Sequence, residues 1–209
     1  GIDDALAIAL ALSDPRAELA AVTTVAGNHD VDQVIVNTLK VLNLLSANHV
    51  PVHRGAGKPL VRELRDGQYF HGRDGLGDAG LPDFDRPLGP DRGPAAIIRM
   101  ALERPGELTL VCLGPLTNLA IALNVAPELP ELLRSVVIMG GAFTIGGNVT
   151  AHAEFNIHAD PEAATEALSN RKLDLTLVGL DVSHQVALPK AVWDAAANGT
   201  SPSSQLVAK

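Results

Sequence analysis

Glu107-Leu108-Thr109-Leu110-Val111-Cys112-Leu113-Gly114-Pro115-Leu116-Thr117-Asn118-Leu119 is the stretch whose reading decides the fold. From Glu107 to Leu113 the residues are nearly all apolar or β-branched, the composition of a strand buried on both faces. Gly114-Pro115 turns the chain, and helix formers run from Leu116 to about Asn124, with Pro115 suited to a first helical turn. Working outward, the same alternation recurs. Ser135-Val136-Val137-Ile138-Met139 is a second buried run, ended by Gly140-Gly141 before a loop that reaches roughly His158. Asp160-Pro161-Glu162 opens a helix by cap and N1-proline logic. Leu173 to Leu180 is a further strand, followed by Asp181 and a helix near Lys190 to Ala197. Upstream, a helix covers Pro94 to Glu103, and Leu19 to Val25 is a strand ended by Ala26-Gly27-Asn28. Val31, Ile35, Leu39 and Leu42 then repeat at helical spacing behind a cap at Asp30. His49 to His53 fits a short strand, and Asp3-Asp4 fits the first turn of a buried helix from Ala5 to Leu12, broken at Asp14-Pro15. Strand and helix alternate throughout. The expected architecture is α/β: an open, mostly parallel, Rossmann-like sheet flanked by helices.

Composition bounds the function. Hydrophobic residues make up 46% and charged residues 19% of the 209 positions, which excludes disorder, collagen-like repeats and a disulfide scaffold. A length of this order suits one domain with one sizeable core. Net charge is −8 and there is no basic block, so no nucleic-acid partner is expected. No run approaches the roughly 18 apolar residues of a membrane helix, so no membrane partner is expected either. The single Cys112 lies inside an apolar run, which suits a thiol in a reducing compartment, and the cytoplasm is the expected location. The opening Gly1-Ile2-Asp3-Asp4 has no initiator Met, and Ser201 to Lys209 stops without a clear terminal element. The chain is therefore expected to be a fragment at both ends.

Open parallel sheets bind ligands beyond the carboxyl ends of their strands, so the residues to weigh are those just after each strand. They are Asp3-Asp4, Gly27-Asn28, Gly114-Pro115, Gly140-Gly141 with the loop behind it, and Asp181. The second loop is the richest, carrying Gly146-Gly147-Asn148-Val149-Thr150-Ala151-His152-Ala153-Glu154-Phe155-Asn156. Two amides and a carboxylate there suit several sugar hydroxyls, with Phe155 as an apolar wall. A long, Gly-rich segment from Gly55 to Gly93 has no period, and loops of that length are usually functional or mobile. Each feature has a plainer reading. Asp3-Asp4 also fits a helix cap, Asn28 a turn residue, and Glu154-Phe155-Asn156 a capping or packing element. His152 and His158 lack zinc-ligand spacing and read as surface or loop polarity. The glycine pairs do not form a dinucleotide fingerprint, which argues against a nicotinamide enzyme.

Five motifs, in order, resemble those of the inosine-uridine preferring nucleoside hydrolases: Gly1-Ile2-Asp3-Asp4-Ala5, Ala26-Gly27-Asn28, His71-Gly72-Arg73-Asp74-Gly75-Leu76-Gly77, Leu113-Gly114-Pro115-Leu116-Thr117-Asn118-Leu119 and Ala153-Glu154-Phe155-Asn156. The resemblance covers essentially the whole chain. It implies hydrolysis of the N-glycosidic bond of ribonucleosides to ribose and free base, with a tightly held Ca²⁺ and a homodimeric or homotetrameric assembly. By the same resemblance Asp4 is a calcium ligand and the backbone carbonyl of Leu113 another. Asp3, Asn28, Asn148, Glu154 and Asn156 are ribose contacts, with Asn156 the catalytic one among them. Met139 joins the substrate site through its backbone and His71 lies near the base, while Phe155 is kept as the apolar wall read from the loop itself.

Two departures sit at the ends. The family's opening motif begins with two further aspartates, one of them the general base, and a later His-Asp pair supplies the leaving-group contact and another calcium ligand. Neither lies within residues 1–209, so the resemblance implies a single nucleoside hydrolase-like domain incomplete at both termini. Ca²⁺ takes 6 to 8 oxygens at about 2.3 to 2.6 Å, and one carboxylate with one carbonyl falls short of that. The rival expectation is a non-catalytic nucleoside or sugar binding protein that keeps the ribose contacts without the catalytic ends.

Overall fold

Helices and extended segments follow one another along the chain in the computed structural model, which describes residues 1–64 and 71–207. α1 (Ile2–Ser13) leads to β1 (Val22–Thr23), α2 (Val31–Leu44) and β2 (Val52–His53). α3 (Gly93–Glu103), β3 (Thr109–Cys112), α4 (Thr117–Val125), α5 (Leu129–Leu132) and β4 (Ser135–Met139) follow. α6 (Phe155–Ala159), α7 (Pro161–Ser169), β5 (Leu175–Val178), α8 (Leu180–Ser183), α9 (Lys190–Ala197) and α10 (Pro202–Val207) complete the order.

Every strand pairing is parallel. β1 lies beside β2 with Val22 opposite Val52, and β3-β4-β5 form a second sheet with Thr109 opposite Ser135 and Val136 opposite Leu175. Parallel neighbours need a crossover connection, and helices supply each one: α2 for the first sheet, α4 with α5 and then α6 with α7 for the second. The α/β class with parallel strands flanked by helices is as the sequence implies. Among the described residues the strands fall in two parallel groups: no strand joins β1 to β3, and the two groups meet through α4, whose Asn118 amide donates to Thr24 O at 2.8 Å. On β3, Val111 is 54% exposed.

The core follows the same division. Val136 and Ile138 alternate inward on β4, where Leu116, Leu119 and Leu129 pack with Ala163 and Ala167 of α7. A second cluster sets Ile35, Leu39 and Leu42 of α2 against Val50 and Val52. A third joins Ala5 of α1, Val41 of α2 and Leu76, with Leu206 of α10 packed beside them. Each fully buried Leu or Ile contributes about 1.5 to 3 kcal/mol.

Local signals set the helix starts. Asp30 accepts from Gln33 N at 2.9 Å, and Asp160 accepts from Ala163 N at 3.1 Å behind Pro161, both as the sequence predicts. Four expectations change. The Leu19–Val25 strand narrows to two residues because β2 offers only two partners. Pro115 precedes the Leu116 N-cap rather than entering the helix, and its ring packs where a side chain on Gly27 would otherwise stand. The loop after β4 ends at Glu154, whose carboxylate starts α6. At the C-terminal end Pro202 to Val207 is a helix that packs on α9, not an unstructured stop. Residues 65–70 of the Gly55–Gly93 segment, and 208–209, lie outside the described residues. Among the described residues no helix is long and apolar enough to cross a membrane.

Candidate active site

The carboxyl ends of β3 and β4 are held together by one side chain. Asn156, in the first turn of α6 and buried, donates from Nδ2 to Leu113 O at 3.0 Å and to Met139 O at 3.1 Å. An amide nitrogen carries two N–H groups and both are used, so Oδ1 is the atom left to accept a bond. Glu154, 2% exposed, accepts from Gly141 N at 3.0 Å, Asn156 N at 2.8 Å and Ile157 N at 3.1 Å. A carboxylate at a helix N-terminus satisfies orphan amides and meets the positive end of the dipole. Glu154 thus carries out the capping role weighed at the outset, and one of its lone-pair positions remains. Asn148 Oδ1 accepts from Phe155 N at 2.9 Å, which leaves its exposed Nδ2 free to donate outward. Leu113, Met139, Asn148, Glu154, Phe155 and Asn156 therefore form one connected unit.

Asp3, Asp4 and His71 form another. The first turn of α1 places both carboxylates near Gly1, and the imidazole Nδ1 of His71 faces Ile2 N at 3.5 Å. A Cβ added to Gly1 would lie 2.8 Å from an oxygen of each aspartate and 2.9 Å from His71 Cε1, which shows how closely the three converge. Burial pushes the Asp4 carboxyl above its ordinary value, and the negative charge of Asp3 adds to that shift. Burial lowers the His71 imidazole.

Asn28 follows Gly27 and precedes His29, and each of these neighbours faces one of the two groups. Its neighbour Gly27 stands 2.9 Å, measured from an added Cβ, from the Pro115 ring and 4.0 Å from the Phe155 ring. Its other neighbour, His29, is buried with Nε2 3.5 Å from Gly72 O. The structure thus brings the sequence-predicted residues into two groups, one hydrogen-bonded around Glu154 and Asn156 and one converging on Gly1. A hollow of about 290 Å³ opens beside the C-terminal end of α6, lined by Arg62, Glu63, His158 and Ala159, and none of the predicted site residues lines it.

The supporting residues were the ones missed. Asn118 Oδ1 accepts from Ala56 N at 2.8 Å while its Nδ2 reaches Thr24 O, so one amide stitches the segment after β2 to the end of β1. Asp160, fully buried, accepts from Leu60 N at 2.9 Å and Thr117 Oγ1 at 2.6 Å besides capping α7. The signal was partial: Thr117-Asn118 are polar residues inside an otherwise apolar stretch, where a buried polar group requires partners, while Asp160 was legible as a cap but not as the acceptor for Leu60 and Thr117.

A parallel α/β fold with amides and carboxylates gathered at the strand ends presents a polar site where open parallel sheets bind small ligands. The chain belongs to the inosine-uridine preferring nucleoside hydrolase family, whose model it matches over residues 1–209. It is 42% identical over 194 residues to the pyrimidine-specific ribonucleoside hydrolase RihA of Salmonella arizonae, covering 91% of this chain and 61% of that one. It is 40% identical over 194 residues to the inosine-uridine preferring nucleoside hydrolase of Leishmania major, covering 92% and 61%. Its fold matches a solved plant nucleoside hydrolase with a TM-score of 0.94 at 37% identity, covering 100% of this chain and 66% of that one. The chain spans about three fifths of the length of these curated relatives.

Proposed function

We propose that the protein hydrolyses the N-glycosidic bond of ribonucleosides. Water adds to the anomeric carbon, the bond to the base nitrogen breaks, and the products are ribose and the free, reprotonated base. The observation that carries the reading is the Glu154–Asn156 unit, which seats an amide across the ends of β3 and β4 with Asn148 beside it. The outward groups are complementary: Asn156 Oδ1 accepts from a ribose hydroxyl, and Asn148 Nδ2 donates to one. Asp3, Asn28 and the last lone pair of Glu154 complete the ribose contacts, Phe155 and the Met139 backbone wall the site, and His71 faces the base. As the bond breaks the sugar gains oxocarbenium character, and acceptor oxygens fixed around it favour that charge. Attack from the face opposite the base inverts the anomeric carbon. Asn156 acts by position, since an amide transfers no proton at neutral pH.

The residues present fit a hard cation in kind and fall short in number. Asp4 is a carboxylate raised by burial, the state a bound cation would reverse, and Leu113 O keeps a second lone pair beside its Asn156 bond. Among the described residues no group of three His, Cys, Asp or Glu side chains is arranged to hold a metal. Ca²⁺, when bound, supplies a water of lowered pKa. We assign Asp4 and the Leu113 carbonyl as part of its shell.

The relatives named for pyrimidine and for inosine-uridine preference leave the base open. Family resemblance also favours a cytoplasmic homodimer or homotetramer, which light scattering on the full-length protein tests. The activity test is reducing-sugar release from uridine, cytidine and inosine by the full-length protein, with Ca²⁺ and after chelation. Calcium-dependent release supports the reading; nucleoside binding without release replaces it with the binding protein.

A further inference from the structure

The segment from His71 to Gly80 contains five residues with left-handed backbone: Gly72, Gly75, Gly77, Asp78 and Gly80, with φ of 77°, 77°, 69°, 54° and 62°. Such a path needs external ties to be held in one form. Internally, Asp74 Oδ1 accepts from Leu76 N at 2.7 Å and Asp78 N at 2.9 Å, and Gly77 N donates to the His71 carbonyl at 2.7 Å. The turn is therefore bonded within itself and closes onto the His71 backbone. What remains is to fix it to the body of the protein.

Asn37 does that. It lies on the inner face of α2, is 9% exposed, and donates from Nδ2 to Asp74 O at 2.6 Å. Gln33, one helical turn earlier, donates to Asn37 Oδ1 at 2.9 Å and so sets which way the amide points. The fit is close: a Cβ on Gly75 would lie 2.7 Å from the His29 ring and 3.1 Å from Asn37 Nδ2. α2 has no need of this amide for itself, because Ile35, Leu39 and Leu42 already supply its buried face. A polar group among them lowers stability unless it is bonded, and its long-range partner is the turn that carries His71.

We propose that Asn37 is a positioning residue, a latch on α2 that sets where the His71 imidazole stands relative to the base. The inference rests on the nucleoside hydrolase reading and deepens it. Asn37 touches no reacting atom and acts only through the turn from Gly72 to Asp78. Misplacement of a contact by about 1 Å costs up to 10²-fold in rate.

The test uses the full-length protein and three variants, Asn37→Asp, Asn37→Ala and Gln33→Ala. Asn37→Asp keeps the shape and the Gln33 bond but removes the donor to Asp74. Gln33→Ala is the mild variant that folds if the others do not. Two readouts are taken: amide hydrogen exchange, and kcat/KM on nucleosides in both wild-type and His71→Ala backgrounds. The expected result is faster exchange confined to residues 72–78. With it comes a loss of about 10- to 100-fold in kcat/KM for Asn37→Asp that shrinks to within about twofold when His71 is already Ala. Unchanged exchange overturns the latch. An equal loss in both backgrounds overturns action through His71 and leaves a merely structural role. If the wild-type protein cleaves no nucleoside, the functional reading and the positioning role fall together, and exchange alone then decides whether the latch holds the turn.

Discussion

Replacing Asp160 by Ala in the full-length protein is expected to lower its stability by about 3 to 5 kcal/mol. The figure follows from what the carboxylate holds. It is fully buried and accepts three bonds, from Ala163 N at 3.1 Å, Leu60 N at 2.9 Å and Thr117 Oγ1 at 2.6 Å. Loss of an Asp N-cap costs about 1 kcal/mol. Leaving a buried donor unpaired costs about 1 to 3 kcal/mol, and two such donors remain, of which the Leu60 amide lies in a loop where water reaches it more readily. Asp160→Asn keeps one acceptor for the cap and turns an NH₂ toward the remaining donors, so it should fall between Ala and wild type. Urea denaturation followed by circular dichroism measures all three proteins, and an unchanged m-value confirms that only stability has moved. A loss below about 1 kcal/mol for Asp160→Ala would refute the argument, since it would mean that the three donors find other partners at no cost.

Glu154→Gln keeps an acceptor for the Gly141 and Ile157 amides but turns an NH₂ toward Asn156 N, and should cost about 1 to 3 kcal/mol in urea titration while weakening ribose binding. Gly55→Ala and Gly106→Ala should differ sharply. A Cβ at Gly55 would lie 1.8 Å from Thr24 O, whereas Gly106 has open space and only its φ of 73° to strain, about 1 to 2 kcal/mol. Comparable losses from the two would contradict the packing described. Asp181 is held down to about 2 by Thr144 Oγ1 and by the amides of Phe143 and Thr144, below its ordinary 3.8. Its folded value is depressed, so the tie to the loop after β4 is fully present above about pH 4 and is lost as pH falls through about 2. The amide shifts of Phe143 and Thr144 should therefore titrate near 2, and a midpoint near 4 would show that these bonds do not form in solution.

How much was legible in the sequence depended on the range of the interaction. Ser135–Met139 and Lys190–Ala197 were read with their observed bounds because each is set by its own composition. The caps at Asp30 and Asp160 were legible for the same reason, their partners lying within the same turn. The Leu19–Val25 strand was overread because strand length depends on a partner, and β2 supplies two residues. The strand-end rule singled out Asp3-Asp4, Asn28 and the Asn148–Asn156 loop as candidates, and the five ordered motifs supplied the roles proposed for them, since no single amide distinguishes a sugar contact from a turn. Glu154 shows how the two roles merge: the capping alternative is what the geometry displays, in the place where the resemblance puts a ribose contact. Asn37, Asn118 and the Leu60 contact of Asp160 stayed hidden because their partners lie far away in the chain, and nothing local marks which backbone group a buried amide or carboxylate will meet.

The absence of any hairpin among the described strands bears on how the molecule is made. Val22 waits for Val52, Thr109 for Ser135 and Val136 for Leu175, each across an intervening helix. Loop closure must be completed before any of these ladders forms, which slows folding relative to a chain of local pairs. During synthesis β4 gains its β3 neighbour first and stands with one edge bare until Val178 has left the ribosome. Over that interval the apolar run Val136-Val137-Ile138-Met139 is the segment most open to pairing with another nascent chain. Recovery of soluble protein should therefore respond to growth temperature and translation rate more than to the final stability of the fold.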